Sequence, residues 1–140
     1  MEYTYQLYGL RVRLSRPLPG LMPADGPDAI DLRIDLDGSG HNRFETLPQK
    51  LWYASRKDQY GNFAHVWKLA GDAFYRFKYS DGADFVIDRS GSRIWAWWPP
   101  DLSEEDIFTY LTGHILAFTL GLRGYVCLHA SAIAVDGKAV

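Results

Sequence analysis

The chain has 140 residues, fifteen Lys and Arg against seventeen Asp and Glu for a net charge of −2, and is 47% hydrophobic and 15% aromatic. That length suits one domain able to bury about two thirds of the surface its unfolded form exposes, and cations scattered at this density give no electrostatic reason to expect nucleic acid and disfavour a bulk anionic partner. A single cysteine, Cys127, excludes an internal disulfide, and its place in an apolar run predicts a buried, inert thiol. The first residues, MEYTYQLYGL, have neither the basic start nor the apolar core of a signal peptide. Together with the lone cysteine, they lead to the expectation of a cytoplasmic protein.

Along the chain, Tyr3, Tyr5 and Leu7, then Leu10, Val12 and Leu14, alternate on either side of Gly9 and predict one strand with a bulge. Residues 16 to 27 hold four of the seven prolines and can sustain neither ladder nor helix. Ile30, Leu32, Ile34 and Leu36 alternate with Asp31, Arg33, Asp35 and Asp37, the period of a strand with one wet face. From about residue 50 to 98, the runs LWYAS, AHVWKLA, AFYRFKYS, ADFVIDR and SRIWAWW are separated by turn dipeptides such as Gly71-Asp72, Asp81-Gly82 and Ser90-Gly91, which predicts an antiparallel meander.

Pro99-Pro100 ends that meander, and Ser103 with Asp106 predicts a capping box opening an acidic first helical turn. Ile107, Tyr110, Leu111, His114, Ile115, Phe118 and Leu122 keep helical spacing while Phe108, Leu116 and Leu120 make the other side apolar, so the helix should be covered on most sides. Its uncharged stretch, residues 107 to 122, is shorter than the ~20 residues a bilayer requires, so no membrane span is expected. Gly124 ends the helix with Arg123 near the negative end of its dipole. Val126, Leu128, Ile133 and Val135 then predict two strands, with Asp136-Gly137 a tight hairpin turn. Only Lys138, Ala139 and Val140 follow, short of the usual five or so residues, and the end reads as interrupted. The predicted fold is α+β: an antiparallel β-rich region over residues 1–100, then one long buried helix and an unfinished hairpin over 101–140.

Chemistry is sparse. Asp35-Leu36-Asp37-Gly38-Ser39-Gly40 copies the front half of a calcium loop, but Thr46 stands where the bidentate carboxylate belongs and a strand precedes it, so a polar turn is the expectation. His41, His65, His114 and His129 lack ligand spacing, and Cys127 with His129 is too small a set for zinc; no metal site is expected. His114, on an apolar helix face, reads as a hydrogen-bonded core residue. Of Trp52, Trp67, Trp95, Trp97 and Trp98, two are expected to fill the sheet-to-helix core; the alternative is a flat stacking surface for a sugar or a peptide, and tryptophans left at the surface would shift the balance toward such a docking site.

The run Cys127-Leu128-His129-Ala130-Ser131-Ala132 with the Asp136-Gly137 hairpin resembles the segment leading into the phosphate-binding loop of HPr-kinase-like proteins, the group related to HPr kinase/phosphorylase. The leader around Tyr8-Gly9-Leu10, the Pro17-Leu18-Pro19-Gly20-Leu21 link and the helix ending in Arg123-Gly124 are also similar in outline. The resemblance implies that the last forty residues begin a P-loop kinase core, cut before its glycine-rich loop. The parent would be a cytoplasmic ATP-dependent serine kinase that transfers the γ-phosphoryl of Mg-ATP to a hydroxyl on a protein or peptide. ATP and Mg²⁺ would belong to that parent, since no G-x-x-x-x-G-K-S/T loop occurs in these residues. Only His129 carries over as a catalytic residue, either orienting a phosphate or serving as acid or base near neutral pH; a strand-end histidine bonded to backbone is the alternative. Ser131 is a second, weaker candidate. The alternative function is a non-catalytic β module that docks a peptide or carrier protein. Neither nucleic acid nor membrane is an expected partner, and a homo-oligomer is compatible with either function.

Overall fold

In the computed structural model, which describes residues 1–38, 40–128 and 133–139, the alternating runs pair into one mixed sheet of eight strands. These are β1 (Tyr3–Leu7), β2 (Leu10–Leu14), β3 (Leu32–Asp35), β4 (Gln49–Ala54), β5 (Ala64–Leu69), β6 (Phe74–Tyr79), β7 (Asp84–Asp88) and β8 (Arg93–Trp97), in the order β1-β2-β3-β8-β7-β6-β5-β4. The meander β4 to β8 is antiparallel throughout, with each strand beside its predecessor. The exception is β3, which lies parallel to both β2 and β8 and joins the amino-terminal hairpin to the meander. The fold is α+β, as expected.

Residues 3–14 form a hairpin and not one bulged strand. Leu7 pairs with Leu10 across a two-residue loop in which Tyr8 and Gly9 take φ of 51° and 77°. Two positive φ values in succession match the twist of the flanking strands, and the aromatic at the first position hid this turn from a reading keyed to Asn-Gly or Asp-Gly.

The long helix, residues 104–122, crosses one face of the sheet as α2 (Glu104–Tyr110), a π turn (Leu111–Ile115) and α3 (Leu116–Leu122). The foreseen cap is present: the Ser103 hydroxyl accepts from the Asp106 amide at 3.1 Å, and the Asp106 carboxylate accepts from the Ser103 amide at 2.9 Å. Ile107, Leu111, Ile115, Leu116 and Leu120 are buried against Val12, Leu32, Ile34, Phe85, Ile87 and Ile94, each burial contributing about 1.5–3 kcal/mol before entropy is counted. The opposite side of the helix is wet. Gly113, His114, Ala117 and Gly121 are exposed, so the helix is covered on one side and not on most. Its carboxyl end is tied down by Arg123, whose Nη1 donates to the Asp31 and Gly91 carbonyls at 3.1 and 3.2 Å.

A second, smaller core fills the other sheet face under a short helix, α1 (His41–Glu45). There Phe44, Leu69, Val86 and Trp95 are buried with Trp67, Phe74 and Trp97 around them. Trp95 is therefore a core residue, as a large aromatic should be, but not in the sheet-to-helix core that the sequence suggested. Strict alternation explains it. Ile94 and Ala96 face the long helix, which sends Trp95 and Trp97 to the other side. Past Gly124, residues 125–128 form no strand. Beyond them lies a hairpin of β9 (Ala134–Val135) and β10 (Lys138–Ala139), turned by Asp136 and Gly137 at φ of 50° and 73°.

Candidate functional site

Two constellations bring functional side chains together among the described residues. The first is a groove of about 780 Å³ between the exposed side of the long helix and the segment after it, lined by Tyr8, Thr112, His114, Tyr125, Cys127 and Leu128 among others. The π turn shapes it. Thr112 donates its hydroxyl to the Phe108 carbonyl at 2.7 Å, and Gly113 leaves helical geometry at φ −92°, ψ −105°. A side-chain hydroxyl competing for a helical carbonyl and a glycine without helical preference favour such a local irregularity, and it swings His114 outward.

His114 and Cys127 are both exposed, which corrects the expectation of a buried imidazole and a buried thiol. The Cys127 thiol donates to the Ala117 carbonyl at 3.6 Å. The segment lies beside the wet side of the helix instead of within a strand, so its apolar residues remain open to solvent: Val126 is 86% and Leu128 81% exposed. No hydrogen bond joins Tyr8, His114 and Cys127 to one another, so these three form no assembled acid–base pair. His129 and Ser131, the residues singled out from the sequence, lie outside the described residues.

The second constellation lies on the α1 face. Arg76, 1% exposed, reaches Asp84 with Nε at 3.0 Å from Oδ1 and Nη2 at 2.6 Å from Oδ2, and the same Nη2 donates to Glu45 Oε1 at 2.6 Å. His41 Nε2 is 3.2 Å from Arg76 Nη2 and from Glu45 Oε1. Strand alternation puts Arg76 and Asp84 diagonally across β6 and β7 on one face, and α1 supplies His41 and Glu45 one turn apart. Burial works against the Arg76 charge, but the hydrogen bonds from Asp84 and Glu45 outweigh it and hold the guanidinium firmly protonated. The Arg76 bond in turn holds the Glu45 carboxyl below its ordinary range.

His41, Glu45 and Asp84 lie within metal-ligating distance of one another. The guanidinium, however, already sits between the two carboxylate oxygens that a cation would need. The cluster is a structural hub whose cation is Arg76. Sequence reasoning missed it, although a signal was present: Arg76 falls on the same alternating face as Phe74. In the calcium-like loop, Asp35 accepts from Arg93 Nε at 2.7 Å. No helix among the described residues is long and apolar enough to cross a membrane. No protein-family model, curated protein or solved structure matches the chain.

Proposed function

We propose that the chain is the amino-terminal region of an HPr-kinase-like ATP-dependent serine kinase and supplies the β-rich leader, the long helix and the entry hairpin to a nucleotide-binding core. The observation that carries this reading is the succession of elements at its end. A helix closes at Arg123-Gly124, the Leu128-His129-Ala130-Ser131-Ala132 run follows, and a hairpin turns on Asp136-Gly137. The exposure of Val126, Leu128 and Ile133 supports it, because large apolar side chains left open to solvent mark a surface that another segment covers. The substrate class is a hydroxyl on a protein or peptide, and His129 is the residue assigned to the transfer.

The 140 residues do not themselves fit ATP. They hold no glycine-rich loop followed by Lys and Ser or Thr, and phosphoryl transfer depends on that backbone cradle and on the charge it neutralises. Titration of the chain with Mg-ATP should therefore give no saturable binding. The deciding experiment reads the coding sequence beyond Val140: a G-x-x-x-x-G-K-S/T loop within about ten residues is expected, and the longer protein should transfer ³²P from γ-labelled ATP to a serine-bearing peptide. A stop codon at that point, or tight ATP binding by the 140 residues alone, would overturn the reading.

A further inference from the structure

The two edges of the large sheet differ. At β1 the proline-rich link folds back along the strand: the Ala24 amide donates to the Thr4 carbonyl at 2.9 Å, and the Gln6 amide to the Met22 carbonyl at 3.3 Å. At β4 nothing does so among the described residues. That strand pairs only with β5, all six of its residues are exposed, and Leu51, Trp52 and Tyr53 stand 45%, 53% and 56% open. The outward amides and carbonyls on either side of a bulge between Leu51 and Tyr53, beside three large apolar side chains, are a template for another strand.

Charge decides which strand. The β4–β5 hairpin, residues 49–69, carries Lys50, Arg56, Lys57 and Lys68 against one acid, Asp58, in a chain whose net charge is −2. Asp58 is occupied by its own turn, accepting from the Tyr60 and Asn62 amides. No ion pair joins the four cations to a carboxylate among the described residues, whereas Arg13, Arg33, Arg76, Arg93 and Arg123 elsewhere are each paired. Lys68 holds its ammonium 5.0 Å from the Trp52 ring, which packs on Tyr75 and Phe118, so the tryptophan is fixed in place although half open.

From the bare edge, the fixed aromatic and the unmatched positive charge, we infer that β4 is a docking strand for an acidic peptide segment, which adds to the sheet in extended conformation. A second copy of the chain would bring two equally basic hairpins together, and like charges across a strand pair are destabilising. A nucleic acid would leave the open amides and carbonyls without the regular partners that a peptide backbone supplies. The surface is separate from the groove at the π turn and does not depend on phosphoryl transfer.

The test uses a fluorescein-labelled nonapeptide of alternating Glu and Val, with two versions N-methylated on alternate residues in opposite registers. Saturable anisotropy change is expected, with slowed amide exchange confined to residues 49–54 and binding abolished by one methylated register and kept by the other. The triple variant Lys50→Glu, Arg56→Glu, Lys57→Glu should weaken binding at least tenfold, and Trp52→Ala about tenfold, both with unchanged circular dichroism. The inference is overturned if both methylated peptides bind like the parent, if protection maps elsewhere, if the free protein is a dimer already protected at β4, or if single-stranded oligothymidine binds more tightly than the peptide.

Discussion

Replacing Arg76 by Ala should be the most damaging single change on the α1 face, and its size follows from what is left behind. Asp84 is 6% exposed and takes three of its contacts from that guanidinium at 3.0, 3.2 and 2.6 Å. Without Arg76, a buried carboxylate loses its cationic partner. Glu45, nearly half exposed, is rehydrated at little cost, so the penalty is dominated by Asp84. Breaking one side of a buried pair costs about 3–5 kcal/mol, a large part of the 5–15 kcal/mol that holds a typical domain together.

The double variant Arg76→Met, Asp84→Leu removes both charges and should recover most of the loss, within about 1 kcal/mol of wild type or better. Urea denaturation followed by tryptophan fluorescence measures both. Acid dependence adds a check on sign. Glu45 titrates below its ordinary 4.5 because of the Arg76 hydrogen bond, so its contribution is present above that pH and is lost as pH falls through the lowered value. The gap between wild type and Arg76→Ala should therefore narrow on acidification. A single variant losing under about 1 kcal/mol, or a double variant as unstable as the single, would refute the assignment of the cluster as a paired hub.

Three other measurements probe the fold. Gly91 sits at φ +66°, where an added Cβ would lie 2.9 Å from the Thr119 carbonyl and 3.0 Å from Arg123 Cγ; Gly91→Ala should cost about 2–4 kcal/mol, against about 1–2 for Gly71→Ala, whose surroundings are open. Ser103→Ala removes the helix cap and should lower stability by about 1 kcal/mol, moving the denaturant midpoint down with the slope m unchanged. Burial pushes the Asp88 carboxyl up, but hydrogen bonds from the Ser90 and Ser92 hydroxyls and the Ser92 and Arg93 amides outweigh it and hold it below its ordinary 3.8. Its stabilisation is thus present above that pH and lost below, and Asp88→Asn should flatten the acid limb of a stability–pH curve.

Much of the candidate chemistry was not legible from residue spacing. The run around His129 was identified by resemblance, while the groove lined by His114 and Cys127 depends on a π turn at Gly113 that no periodicity announces. The Arg76 hub gathers side chains from α1, β6 and β7 that are far apart in the chain. The open edge at β4 has the same origin: the run LWYAS looks like any other strand of the meander, and only its place at the end of the sheet order makes it available.

The sequence by itself determined the strands of the meander, the capped start of the long helix and the Asp136-Gly137 turn, because alternation, caps and positive-φ dipeptides act over a few residues. Tertiary structure alone decided that β3 runs parallel between β2 and β8, that Trp95 and Trp97 face a second core, and that one edge is covered while the other, among the described residues, is bare. Periodicity states which residues share a face of a strand. Which neighbour covers that face is set by contacts between distant segments, and local pattern carries no record of them.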